Sequence, residues 1–173
     1  MTLDDLAPLL KSGPGHRLAI LGIGNELNGD DAAGVLVARQ IRANLAPADL
    51  GPAGSLFVVE AGPSPESFTG PLRRFAPHLV VLVDAAELSE PPGTILCFDW
   101  RDAEGLSAST HTLPPSLLAK FLTREVGCGV LLVGIQAKSL ELDGPVSAEV
   151  RAAVDVVAAA LLRGIRGEFP AAR

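Results

Sequence analysis

Two acidic residues and one histidine stand where a strand-based fold would gather chemistry. Asp31, with Asp30 before it, follows a glycine-rich turn, Gly22-Ile-Gly-Asn-Glu-Leu-Asn-Gly29. Asp84 comes directly after five apolar residues, Leu79-Val-Val-Leu-Val83. His111 lies in Ser109-Thr-His-Thr-Leu-Pro114, just ahead of an expected helix, where a helix N-terminus disfavours the imidazolium and leaves a neutral imidazole for metal ligation. Two carboxylates and an imidazole suit a borderline divalent cation such as zinc or nickel, and they leave positions open for water or substrate. Each residue also has a plainer reading. Asp30 or Asp31 could cap a helix, Asp84 could serve a turn, and His111 could be a solvated loop histidine.

The elements that must position these residues are legible as patterns. Leu18-Ala-Ile-Leu-Gly22 reads as a buried strand, and Ala33, Val37, Ile41 and Leu45 repeat at helical spacing after it. Leu56-Phe-Val-Val-Glu60 gives a second strand, and a helix is expected from about Pro65 to Phe75. The apolar run ending at Asp84 is uniform enough to be covered on both faces. Thr94-Ile-Leu-Cys-Phe98 follows after a short Pro-containing loop, which suits an antiparallel neighbour. A helix from about Pro114 to Arg124, a strand Val130-Leu-Leu-Val133 and a helix bearing Val146, Val150, Val154, Val157 and Leu161 complete the pattern. Strands alternating with helices make an α/β sandwich, mostly parallel with one antiparallel strand. Functional groups in such sheets collect beyond the carboxyl ends of the strands, so His16 in the N-terminal segment and His78 at the amino end of its strand are poor candidates. The segments 1–16 and 165–173 are expected to be loosely ordered tails.

Composition narrows the classes. A chain of 173 residues fits one domain, 1–173, with a core of about 17–163. A formal net charge of −6 without a Lys or Arg run argues against nucleic acid and anionic membrane as partners. The start has no basic or apolar leader segment, and the most apolar stretch, Ala152 to Leu162, is too short to span a bilayer, so a cytoplasmic location is expected. Cys97 and Cys128 lie far apart in apolar surroundings and read as buried thiols rather than a disulfide framework. Gly22-Ile-Gly-Asn-Glu-Leu27 lacks the third glycine of a dinucleotide fingerprint, and Gly-x-Ser-x-Gly does not occur.

Four separated motifs carry a resemblance. Gly22-Ile-Gly-Asn25 with Gly29-Asp-Asp-Ala-Ala-Gly34, Leu82-Val-Asp-Ala85, Ser109-Thr-His-Thr-Leu-Pro114 and Gly134-Ile-Gln136 resemble the maturation endopeptidases of nickel-iron hydrogenases, over roughly residues 18–163. The last two look most like the branch serving formate-hydrogenlyase-type hydrogenases. The resemblance implies a three-layer α/β sandwich with a twisted, five-stranded sheet. It implies an endopeptidase, metal-dependent or metal-sensing, that removes the C-terminal extension of a hydrogenase large-subunit precursor after nickel insertion. The family's metal-binding positions match Asp31, Asp84 and His111, the implied catalytic and metal-ligating set, and Asp30 matches a neighbouring acid of less certain role. The metal would be the nickel of the substrate, with zinc or cadmium able to substitute, and the protein would work as a monomer. Two departures stand out: Glu60-Ala-Gly62 replaces the family's Asp-Gly-Gly, and Glu26 adds an acid to the first loop, expected to be solvated. Two alternatives fit the residues less fully, a non-catalytic module that binds the precursor and an unrelated nucleotide-binding α/β protein.

Overall fold

The strand and helix pattern is realised as three layers. The structure, a computed structural model, describes residues 1–10, 15–51, 54–102, 107–108 and 115–168. The strands are β1 (Leu18–Ile23), β2 (Leu56–Gly62), β3 (Leu79–Glu87), β4 (Ile95–Asp99), β5 (Ser107–Ala108) and β6 (Gly129–Gln136). The helices are α1 (Leu3–Leu6), α2 (Ala33–Asn44), α3 (Thr69–Phe75), α4 (Pro115–Glu125) and α5 (Ala148–Arg166). The main sheet runs β2-β1-β3-β6-β4, and the two-residue β5 pairs antiparallel with the end of β3. The pairs β1–β2, β1–β3 and β3–β6 are parallel, and β4–β6 is antiparallel. The short loop after β3 thus turns the chain back, as its length requires.

Period-two alternation along the strands splits the core. Leu18, Ile20, Val81, Val83, Leu131 and Val133 pack with Ala33, Val37 and Ile41 of α2 and with Val150, Val154, Val157 and Leu161 of α5. Their neighbours Ala19, Leu21, Val80, Leu82, Val130 and Leu132 point to the other face, against Leu72 of α3 and Leu118 and Leu122 of α4. Strand β3 is apolar on both sides because helices cover both. No helix among the described residues is long and apolar enough to cross a membrane.

The termini differ from expectation. Residues 1–10 are not a loose tail, since Leu6 and Leu10 are buried, 0% and 1% exposed. They cover the end of α5, where Ile165 is also buried. A Cβ placed on Gly164 would lie 2.7 Å from Leu10 Cδ1, so helix and N-terminal segment meet at van der Waals contact. The segment's own leucines supply the reason, because packing Leu6 and Leu10 on α5 removes their apolar surface from water. Leu10→Ala is therefore expected to cost about 2–5 kcal/mol, the range for emptying a buried leucine site. Urea denaturation will check this, and a loss below about 0.5 kcal/mol would mean the segment is not part of the core.

Candidate functional site

The β1–β3 boundary is where this sheet reverses its strand order, since β1 connects outward to β2 while β3 lies on its other side. Crevices at such points receive ligands in open α/β sheets. Strand β1 pairs with β3 as far as Gly22 opposite Val83, and then diverges. Asp84 is the next residue. It does not end its strand, as the apolar run suggested, because β3 continues to Glu87 and stays paired with β6 through Ala86 opposite Gln136. Asp84 is thus held on one side by β6 and faces the space left by β1 on the other.

Helix α2 is set into the same corner by glycine. A Cβ on Gly34 would strike the carbonyl oxygens of Ile23 and Val83, and a Cβ on Gly22 would strike the Gly34 carbonyl. This close approach explains the last glycine of Gly29-Asp-Asp-Ala-Ala-Gly34. Between β1 and α2 runs a 3-10 turn, Gly29–Ala32, which packs against β3. Asp31 sits in that turn with 0% exposure, and its Oδ2 accepts a hydrogen bond of 2.9 Å from the Asn25 backbone N–H.

Asp31 and Asp84 interact. Burial pushes the Asp84 carboxyl well above the usual carboxylate range, the Asp31 charge raises it further, and a backbone hydrogen bond at Ala85 lowers it less. Asp84 is 7% exposed, and its Oδ1 has no hydrogen-bond partner among the described residues. A buried carboxylate oxygen left unpaired is costly unless something cationic completes it. The donor chemistry therefore fits a divalent cation, and among the described residues no group of three ligating side chains comes together. The third expected member, His111, lies outside the described residues.

Neither acid caps α2. The N-cap position belongs to Ala32, and no side chain caps it. Asp30 instead reaches across to the segment after β6, where its carboxylate accepts hydrogen bonds from Lys138 N, Ser139 N, Ser147 N and Ser147 Oγ. Sequence reading missed this because the partners lie more than one hundred residues away.

Gln136, in the fourth motif, is 4% exposed and ties down the end of β3. Its Oε1 accepts from Leu88 N at 2.7 Å, and its Nε2 donates to the Ala137 carbonyl at 2.9 Å. Glu26 is not simply solvated. It forms a two-bond pair with Arg39, 2.7 and 2.9 Å, and Arg39 also bonds Glu60 at 2.7 Å. The two departures from the family pattern are therefore joined through one guanidinium. Glu26 and Glu60 line a cleft of about 440 Å³ that also includes Gly24, Asn25 and Gly62.

The remaining candidates lie elsewhere. His16 and His78 stack with ring centroids 5.2 Å apart, and His78 Nδ1 accepts from Arg17 N at the amino end of the sheet. Cys97 and Cys128 are buried free thiols, and burial pushes Cys97 up to about 11.

Comparison with known proteins identifies the family and the fold. A family model described as hydrogenase maturation protease, HycI, matches residues 35–164, a span that includes Asp84 and begins just beyond Asp31. The hydrogenase 3 maturation protease of Escherichia coli K12 is 31% identical over 139 residues, covering 80% of this chain and 84% of the relative. A crystal structure of the NiFe hydrogenase maturation protease HycI from Thermococcus kodakarensis matches with a TM-score of 0.76 at 30% identity, covering 87% of this chain and 92% of that one. The solution structure of the endopeptidase HycI from Escherichia coli matches with a TM-score of 0.72 at 28% identity, covering 84% and 89%. With most of its length matched by the family model and by these relatives, the chain belongs to the hydrogenase maturation protease family.

Proposed function

We propose that this protein cleaves the C-terminal extension from a nickel-iron hydrogenase large-subunit precursor after nickel insertion, and that Asp31, Asp84 and His111 recognise the metal. The observation that carries the site is the pair of buried, interacting carboxylates at the strand-order reversal, with Asp84 Oδ1 unpaired among the described residues. Family membership supports the endopeptidase activity. The reading takes the nickel as part of the substrate, with zinc or cadmium as stand-ins.

A cation held there supplies Lewis acidity, polarising a carbonyl or lowering the pKa of a water. The chain's own residues supply the rest. Asp31, oriented by the Asn25 N–H, presents a fixed carboxylate. Asp84 presents an oxygen that has no hydrogen-bond partner among the described residues. The cleft lined by Gly24, Asn25, Glu60 and Gly62 gives a peptide segment room, and it borders Asp31 through Asn25, whose N–H bonds the Asp31 carboxylate. Because Asp84 holds its proton to higher pH than an ordinary carboxyl, binding a cation must displace that proton.

The test is cleavage of purified precursor, with and without nickel, together with cadmium titration of the isolated protein. Nickel-loaded precursor is expected to be trimmed and nickel-free precursor left intact, while His111→Ala is expected to lose cleavage and cadmium binding together. Cadmium affinity should weaken as pH falls, since protonation of Asp84 competes. Equal processing of both precursor forms would overturn metal recognition, and failure to process either would overturn the endopeptidase assignment.

A further inference from the structure

Asp30 is wholly buried, 0% exposed, one residue from Asp31. Its carboxylate accepts four hydrogen bonds, from Lys138 N at 2.8 Å, Ser139 N at 3.0 Å, Ser147 N at 2.6 Å and Ser147 Oγ at 3.0 Å. Its own N–H donates to the Ser139 carbonyl at 3.0 Å. Among the described residues its hydrogen-bond donors are all neutral, and the nearby Lys138 ammonium bonds Glu149 at 2.7 Å instead. Burying a carboxylate among neutral donors is expensive, and stapling two loops does not by itself need a charge. The N-cap of α5 is already served, since Ser147 Oγ accepts from Val150 N.

The Gly29–Ala32 turn is gripped from two sides. On the β1 side, Gly24 takes φ +135°, which lets it seat against the Asp31 carbonyl, and the Asn25 N–H meets Asp31 Oδ2. On the other side Asp30 holds the turn through the 138–147 segment. We propose that Asp30 is a positioning residue: its charge-strengthened staple to Ser147 and the 138–139 backbone fixes the turn so that the Asp31 carboxylate stays aimed beside Asp84. This rests on Asp31 acting as proposed above. Charge-assisted bonds are shorter and roughly twice as strong as neutral ones, which gives the buried acid its purpose. A displacement of about 1 Å at a reacting group can cost roughly 100-fold in rate.

The test compares Asp30→Asn, Ser147→Ala and Ser147→Thr with wild type and with Leu10→Ala, a destabilised control remote from the site. Two quantities are read: amide hydrogen exchange at Asn25, and kcat and KM for precursor cleavage. Asp30→Asn is expected to lower Asn25 protection and reduce kcat by about 10- to 100-fold with KM nearly unchanged. Ser147→Ala, which deletes one of the four bonds, should give a smaller change of the same kind, and it serves if Asp30→Asn does not fold. Ser147→Thr keeps the hydroxyl and should behave as wild type. Leu10→Ala should lower Tm while Asn25 protection and kcat hold. Unchanged Asn25 protection and kcat in Asp30→Asn would overturn the proposal. So would a Leu10→Ala enzyme of equal Tm loss that reproduces the kcat loss. If wild type itself does not cleave precursor, the functional reading fails, while retained or lost Asn25 protection still decides whether Asp30 positions Asp31.

Discussion

Asp84→Asn is expected to reduce precursor processing by at least about 100-fold while making the folded protein more stable at neutral pH. The activity loss follows if Asp84 supplies charge to a cation, since losing even an outer partner of a metal ligand typically costs about 10- to 100-fold. The gain in stability has a separate origin. The folded protein holds the Asp84 carboxyl well above its ordinary value of 3.8, through burial first and the Asp31 charge second. A group raised in this way favours the folded state when protonated. Its penalty is absent below the unfolded value and grows as pH rises towards the folded value, after which it is constant. Asn is neutral throughout and similar in shape, so it removes the penalty. The Tm difference between variant and wild type should therefore be near zero around pH 3.8 and positive at pH 7. If Asp84 were only structural, cleavage by the variant would stay near wild type, and the measurement of cleavage alongside Tm across pH separates the two. Near-normal cleavage by a well-folded variant would falsify the metal-site assignment.

The second large effect is on folding. Gly34→Ala adds one methyl group, yet that Cβ would be driven into the carbonyl oxygens of both Ile23 and Val83. Overpacking a core usually costs about 1–3 kcal/mol because side chains can shift. Here the obstacles are the backbones of β1 and β3, paired in register next to Asp84, and they cannot move independently. The cost should reach or exceed the upper end of that range, a Tm loss of roughly 6–12 °C for a chain of this size. Gly70→Ala is the control. It lies in α3, and its added Cβ would find only Arg74 Nη1, at 3.8 Å. That substitution should be neutral or stabilising by about 0.4–1 kcal/mol through the unfolded chain. Equal Tm values for the two variants would show that α2 does not sit on the strand ends as described.

The sequence by itself determined the layers. The uniform apolar run at Leu79–Val83 implied a strand covered on both faces, Leu18–Gly22 read as a buried strand, and the helical spacing of Ala33, Val37 and Ile41 gave a helix after it. These are local periodicities, set by the geometry of one strand or one helix, and need no partner to be read. That Asp31 follows the first strand and its glycine-rich turn was legible for the same reason, whereas Asp84 lies inside β3, which runs on to Glu87. What only the tertiary structure decided depends on residues far apart in the chain. That Asp84 is the first residue of β3 without a β1 partner follows from register, which no single strand encodes. The Asp30 staple to Ser147, the Arg39 bridge between Glu26 and Glu60, and the burial of Leu6 and Leu10 against α5 are the other cases. An exposed-looking acid and an apolar N-terminal segment carry no sign of their partners in their own neighbourhood. Their cost in isolation is what makes the fold bring the partners together: a buried carboxylate needs donors, and a leucine beside a half-covered helix loses water by packing on it.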